Sequence, residues 1–109
     1  MEEEQVMTDL PKLVRDRIPK IISDSGRSCT YKTAKGGEAK SFLFKKLYEE
    51  IEEFRTDPGV PEAIDIYEVF LALLQHYDVD YGRVYMEADL KRLERGGFER
   101  GIILESISE

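Results

Sequence analysis

The chain has 109 residues, the length of one small domain, and 41% of them are hydrophobic, which is enough for a core. Its 23 acidic residues outnumber 16 Lys and Arg, giving a net charge of −7, whereas a protein that mainly binds nucleic acid needs a basic face. There is no apolar run of transmembrane length, no secretory signal at the acidic start and a single Cys29, so we expect a cytoplasmic protein without membrane or nucleic-acid partners.

The predicted elements, in chain order, are helices. Residues 1–9 are predicted to be a loose tail of a single domain spanning 1–109. Pro19 suits the first turn of a helix, and Asp80 can cap the start of a later one. The apolar run within 98–107 fits either a strand or an extended arm. We therefore predict an all-α fold, an antiparallel helical bundle of about four helices with a short extended C-terminal arm as one alternative. The predicted helices are 18–25, 38–55, 61–77 and 81–95.

Two of these helices carry clear apolar stripes, from which their buried faces are predicted. The stripe of the second helix is centred on Leu47, and that of the third on Ile66. The other residues predicted on these stripes are Leu43, Ile51, Phe54, Val69, Phe70, Leu73 and Tyr77.

Negative charge is concentrated in residues 49–68, which contain eight acids and one base. That excess equals the net charge of the whole chain, so the remainder is balanced. Like charges at helical spacing destabilise a helix. Either these acids form a solvated face, or a cation compensates them.

Helix geometry brings four of the acids together. Glu50 lies about 60° from the centre of its apolar stripe and Glu53 about 60° further round, while Glu49 points outward. On the next helix Glu62 falls within the apolar stripe and Asp65 at its edge. A short linker makes the helices antiparallel neighbours, so both pairs are expected at one level of the seam. Mg²⁺, which prefers oxygen ligands, is the cation that suits such a site, and Mn²⁺ is a substitute.

These motifs resemble a known family. "EEIEE" at 49–53 fits the pattern E-E-x-x-E, and "EAID" at 62–65 fits E-x-x-D. With "KLVRDRIP" (12–19) and "RGGFERGIIL" (95–104), their order and separation resemble the MazG-like, all-α nucleoside triphosphate pyrophosphohydrolases, which include phosphoribosyl-ATP pyrophosphohydrolase. The resemblance implies Mg²⁺-dependent hydrolysis between the α- and β-phosphates, and a homo-oligomer, either a dimer or a tetramer. Carried over by position, the metal ligands are Glu50, Glu53, Glu62 and Asp65.

The negatively charged substrate also needs protein cations and a proton acceptor. Lys12, Arg15, Arg17 and Arg95 are the predicted substrate-binding residues, since Arg binds phosphate oxygens in a forked geometry. Ion pairing with Asp16 or with the acidic helices explains Arg15 and Arg17 equally well. Glu53 is the predicted catalytic acceptor of the proton of the attacking water.

Three functions are compatible with these residues. The first is nucleoside triphosphate pyrophosphohydrolysis, as in clearing unwanted nucleotides. The second is phosphoribosyl-ATP pyrophosphohydrolase-type activity. The third is a non-catalytic helical oligomerisation module that binds a cation. Only the first two release pyrophosphate.

Overall fold

A computed structural model of the protein describes residues 10–108, and within them the fold is all-α, as predicted. The predicted tail at 1–9 lies outside the described residues. Residues 98–107 form neither helix nor strand, so the extended arm is the alternative that describes them. No helix within 10–108 has both the length and the apolar character needed to cross a bilayer. The four helices are α1 (Ile18–Asp24), α2 (Gly36–Thr56), α3 (Val60–His76) and α4 (Tyr81–Arg95).

The helix ends follow the predicted chemistry and differ from the predicted bounds by two residues at most. Pro19 lies in the first turn of α1, where its missing N–H costs no hydrogen bond. The Asp80 side chain caps α4 by accepting a hydrogen bond of 2.8 Å from the backbone N–H of Arg83. Gly96 ends α4 with a φ of 83°, a conformation that favours glycine.

The helices α2 and α3 form an antiparallel hairpin across the short loop 57–59 and provide the core of the protein. Leu43 of α2 is buried with Val69 and Leu73 of α3. Leu47 and, from the N-terminal segment, Leu13 pack against this cluster. The core therefore joins three parts of the chain around the hairpin seam.

The buried faces of both hairpin helices are rotated from the predicted positions toward the acids. On α2 the buried residues are Ala39, Leu43 and Glu50, whereas Ile51 and Phe54, predicted to be buried, are exposed. On α3 Phe70 and Tyr77 are likewise exposed. This part of the prediction was wrong, because the seam runs closer to the carboxylates than the apolar residues alone indicate.

The fourth helix is attached to the hairpin without contributing to the core. No residue of α4 is buried. Its link to α3 is an aromatic pair in which the hydroxyls of Tyr67 and Tyr81 lie 2.9 Å apart and the rings meet edge to face. One face of α4 thus touches the hairpin, and the rest is open.

Candidate active site

The N-terminal segment crosses the hairpin where the two acidic motifs lie. Leu13 packs against the hairpin core and fixes the segment there. Lys12 Nζ lies 2.9 Å from Glu49 Oε1 on α2, and Arg15 Nη2 lies 2.7 Å from Asp65 Oδ1 on α3. The segment therefore brings one cation to each acidic motif.

Glu50 is the buried acid at the centre of this arrangement. It is 4% exposed, and within residues 10–108 it is the one charged residue in the buried class. Its Oε1 lies 3.2 Å from Lys46 Nζ, while its Oε2 is buried without a hydrogen-bond donor. A buried carboxylate oxygen without a partner is costly, so this atom can accept a proton or contact a cation.

The Glu53 carboxyl adjoins that of Glu50. Burial, together with a hydrogen bond to Glu53, raises the pKa of Glu50 to about 7, although the charge of Lys46 opposes the shift. Two carboxyl groups can share a hydrogen bond only while one of them holds a proton. Glu50 is therefore partly protonated near neutral pH, and a dication between the two carboxyls would replace its proton.

Glu49 faces the protein's own cations, whereas helix geometry predicted that it points outward. Its carboxylate contacts Lys12 and also Lys46, at 3.3 Å. Partial burial opposes ionisation of Glu49, but the hydrogen bonds and charges of these two amines outweigh it and lower its pKa. Glu49 therefore neutralises the lysines beside the acid pair and, in this conformation, is not directed at the hairpin seam.

Glu62 and Asp65 are half-buried in the first two turns of α3. The Asp65 carboxylate is held by Arg15, as described above. Glu62 folds back toward the start of its helix, where a Cβ built on Gly59 would lie 2.9 Å from Glu62 Oε1. In these positions, neither the Asp65 carboxylate nor the Glu62 carboxylate is directed at the Glu50–Glu53 pair.

The described residues contain no group of three or more acids, His or Cys close enough to hold a metal ion. The structure thus brings Glu50 and Glu53 together, whereas Asp65 is paired with Arg15 and Glu62 lies beside the start of α3. The donor set still fits a hard dication, because it consists of carboxylates and includes the unpartnered Oε2 of Glu50. Rotation of the Glu62 and Asp65 side chains would be needed to complete a four-carboxylate site.

The remaining predicted substrate-binding cations occupy helix ends. Arg17 is exposed at the N-terminal end of α1. Arg95 is the last residue of α4, and its side chain lies 3.7 Å from that of the neighbouring Glu94. Of the four cations, Lys12 and Arg15 are thus the ones whose contacts join them to the acidic motifs.

Lys46 is the functional candidate that sequence reasoning missed. Its side chain is largely buried and contacts both Glu49 and Glu50. Burial disfavours its charged form, but the two carboxylates outweigh this effect and raise its pKa. The i, i+3 and i, i+4 spacing to these acids could have revealed the contact. Lys46 lies just before the acidic window 49–68, so the charge excess of that window does not include it.

No known family model, curated protein or solved structure matches the chain. Membership of the MazG-like superfamily stays a prediction, based on the motif residues.

Proposed function

We propose that the protein is a Mg²⁺-dependent nucleoside triphosphate pyrophosphohydrolase that cleaves between the α- and β-phosphates. The products would be a nucleoside monophosphate and pyrophosphate. Mn²⁺ is expected to substitute for Mg²⁺. The chain would thereby clear unwanted nucleotides from the cytoplasmic pool.

One observation carries the proposal: a single basic segment reaches both acidic motifs. Lys12 contacts Glu49, and Arg15 contacts Asp65. Phosphate oxygens are alternative partners for the same cations, and Arg15 can bind two of them at once. Movement of Arg15 from Asp65 to a phosphate would release the Asp65 carboxylate when substrate arrives.

The hairpin acids would provide the other half of the chemistry. Glu50, Glu53, Glu62 and Asp65 would hold the cation, and Glu50 Oε2 would be available for it once the proton shared with Glu53 is lost. When bound, the ion supplies positive charge that offsets the charge of the triphosphate and favours ionisation of water.

The protein's own groups would orient the substrate and move the proton. Lys12, Arg15, Arg17 and Arg95 would bind phosphate oxygens, with the attacking water in line with the leaving pyrophosphate. Glu53 would accept the proton of this water. The water oxygen bonds to the α-phosphorus as the bond to the bridging oxygen breaks, and the electron pair leaves with pyrophosphate.

We further propose that the protein acts as a homodimer or homotetramer. Much apolar surface of the single chain is exposed, including nearly all of α4. Burial of such surface is the main driving force for association.

The activity assay is a panel of standard and modified nucleoside triphosphates, with phosphoribosyl-ATP added, in the presence of Mg²⁺. Pyrophosphate and orthophosphate are measured separately. We expect pyrophosphate in equal amount to the nucleoside monophosphate for at least one triphosphate. Turnover of phosphoribosyl-ATP alone would select the second candidate, and orthophosphate alone would contradict the assigned bond.

A pair of matched variants tests the site. Glu50→Gln should lower kcat at least about a hundredfold while the helical circular dichroism stays unchanged. Glu52→Gln is the control, because Glu52 lies two residues away, exposed and paired with Arg55. Equal activity of Glu50→Gln and the wild type would exclude the proposed site. Bound Mg²⁺ without turnover in the wild type would instead indicate the non-catalytic module.

A further inference from the structure

Large apolar side chains of the described helices are exposed to solvent. Apolar side chains are stabilised when they are buried against the chain's own core or against a partner. Where several of them cluster on one helix or on neighbouring helices, they form a surface that a second copy can cover.

One apolar patch lies on α4 and is named here the α4 stripe. It consists of Met86, Leu90 and Leu93, spaced to fall on one side of the helix. Leu90 is 63% exposed and Leu93 85% exposed. Tyr81, which contacts α3, lies roughly 150° round the helix axis from this stripe. The α4 stripe thus faces away from the chain's own hairpin.

A second apolar patch, named here the hairpin face, consists of Ile51 and Phe54 of α2 and Phe70 of α3. All three are exposed. On both antiparallel helices they are rotated from the buried seam in the same sense, which places them on one side of the hairpin. The rotation of the seam toward the acids leaves this side uncovered.

Charge distinguishes between the ways in which two copies can cover these patches. Residues 36–76 contain nine acids and four bases, a net charge of −5, whereas α4 contains three acids and four bases, a net charge of +1. Two hairpin faces brought together would repel each other, and two α4 helices would leave both hairpin faces exposed. An α4 stripe on a hairpin face joins charges of opposite sign and buries both patches.

We propose that the protein forms a two-fold dimer in which the α4 stripe of each copy packs on the hairpin face of the other. This proposal specifies the interface of the proposed homo-oligomer and rests on that oligomer, but it does not depend on catalysis. The interface is isologous, since each copy contributes one stripe and one face. A tetramer would be built from two such dimers.

The first test is the mass of the full chain in solution, measured by light scattering after size exclusion. The wild type should have at least twice the chain mass of 12.6 kDa. The double variant Leu90→Asp, Leu93→Asp should raise the dissociation constant at least about a hundredfold. Lys91→Glu is the control, because it changes the charge by the same −2 on the same helix, away from the stripe. Because Lys91→Glu also reverses the net charge of α4, it should weaken the dimer, but far less than the double variant does.

The second test is complementation. Ile51→Asp on the hairpin face should also give monomers. When it is mixed with the Leu90→Asp, Leu93→Asp variant, a dimer should reappear, since the mixed pair contains one intact stripe-on-face contact. Circular dichroism of each variant checks that the helices persist. If a variant is unfolded, amide hydrogen exchange of the wild type is measured in its place. The amides of the α4 stripe and of the hairpin face should then become protected from exchange together as the protein concentration rises.

The outcomes separate this interface from the oligomer itself. A monomeric wild type would overturn both the proposed homo-oligomer and this interface, and would leave the proposed enzymatic activity untouched. A double variant that keeps its oligomeric mass would overturn this interface and leave the homo-oligomer intact. Two monomeric variants that do not complement would overturn the stripe-on-face arrangement, and protection of one patch alone would do the same.

Discussion

Arg15 and Asp65 are 50 positions apart in the chain, yet Arg15 Nη2 lies 2.7 Å from Asp65 Oδ1. Both side chains are partly exposed, so the ion pair itself adds little to stability, at most about 1 kcal/mol. The ion pair matters because it holds the forked guanidinium of Arg15, which can bind phosphate, beside Asp65 of the motif at 62–65. A bound triphosphate would compete with Asp65 for the guanidinium.

Replacement of Arg15 should therefore affect substrate binding more than folding. For Arg15→Ala we expect KM to rise about tenfold or more, with kcat changed less and the unfolding free energy lowered by at most about 1 kcal/mol. Steady-state kinetics and denaturant titration measure the two effects. Arg55→Ala is the matched control, since Arg55 forms an exposed ion pair with Glu52. An unchanged KM for Arg15→Ala would remove Arg15 from the substrate site.

Lys46 should stabilise the ionised acids of the first motif. We expect Lys46→Met to lower the unfolding free energy by about 2 kcal/mol at pH 8, because Glu50 then loses its nearby ammonium group. The loss should be smaller near pH 5, where Glu50 holds a proton. Lys45→Met is the control, since Lys45 lies over the Phe42 ring on the same helix. If Lys46→Met and Lys45→Met lowered the unfolding free energy equally, Lys46 would not specifically stabilise the ionised acids.

The raised pKa of Glu50 makes stability depend on pH in a definite direction. Its pKa is raised from 4.5 to about 7 in the folded state, so between these values the folded chain binds more protons than the unfolded chain. In metal-free buffer, this group should lower the unfolding free energy by about 1–3 kcal/mol as the pH rises from about 5 to 8. Glu49 contributes with the opposite sign, but only at more acidic pH, because its pKa is lowered.

Denaturant titrations of the wild type and Glu50→Gln across this range measure the contribution of Glu50. The wild type should lose stability relative to Glu50→Gln as the pH rises. Parallel curves for the two proteins would show that Glu50 titrates as in the unfolded chain.

Mg²⁺ should compete with the proton held near Glu50. We expect Mg²⁺ to raise the thermal unfolding midpoint and EDTA to reverse the rise. At pH 6, calorimetry in buffers of different ionisation enthalpy should detect proton release on binding, because the carboxylates must be ionised to hold the ion. Glu50→Gln should abolish this release, and Glu52→Gln should retain it. Binding without proton release in the wild type would place the ion elsewhere.

The sequence was sufficient for the features that depend on local spacing. The Asp80 cap, the four helices and the position of Glu50 beside the seam follow from side-chain chemistry and helix geometry. The contact of Glu49 with Lys12 could not be predicted, because it depends on where residues 10–13 cross α2. The exposed Ile51 and Phe54 were missed for a similar reason. Apolar periodicity identifies a face that will be covered, but not whether the chain or another copy covers it.

The proposed function depends on the convergence of the hairpin acids on one cation, which a crystal structure with Mg²⁺ and a non-hydrolysable α,β-imido triphosphate would test most directly. We predict Mg²⁺ with oxygens of Glu50, Glu53, Glu62 and Asp65 at about 2.1 Å, directly or through ordered water, and Arg15 on a phosphate. Asp65 still paired with Arg15, and no ion between α2 and α3 beside the bound analogue, would contradict the account.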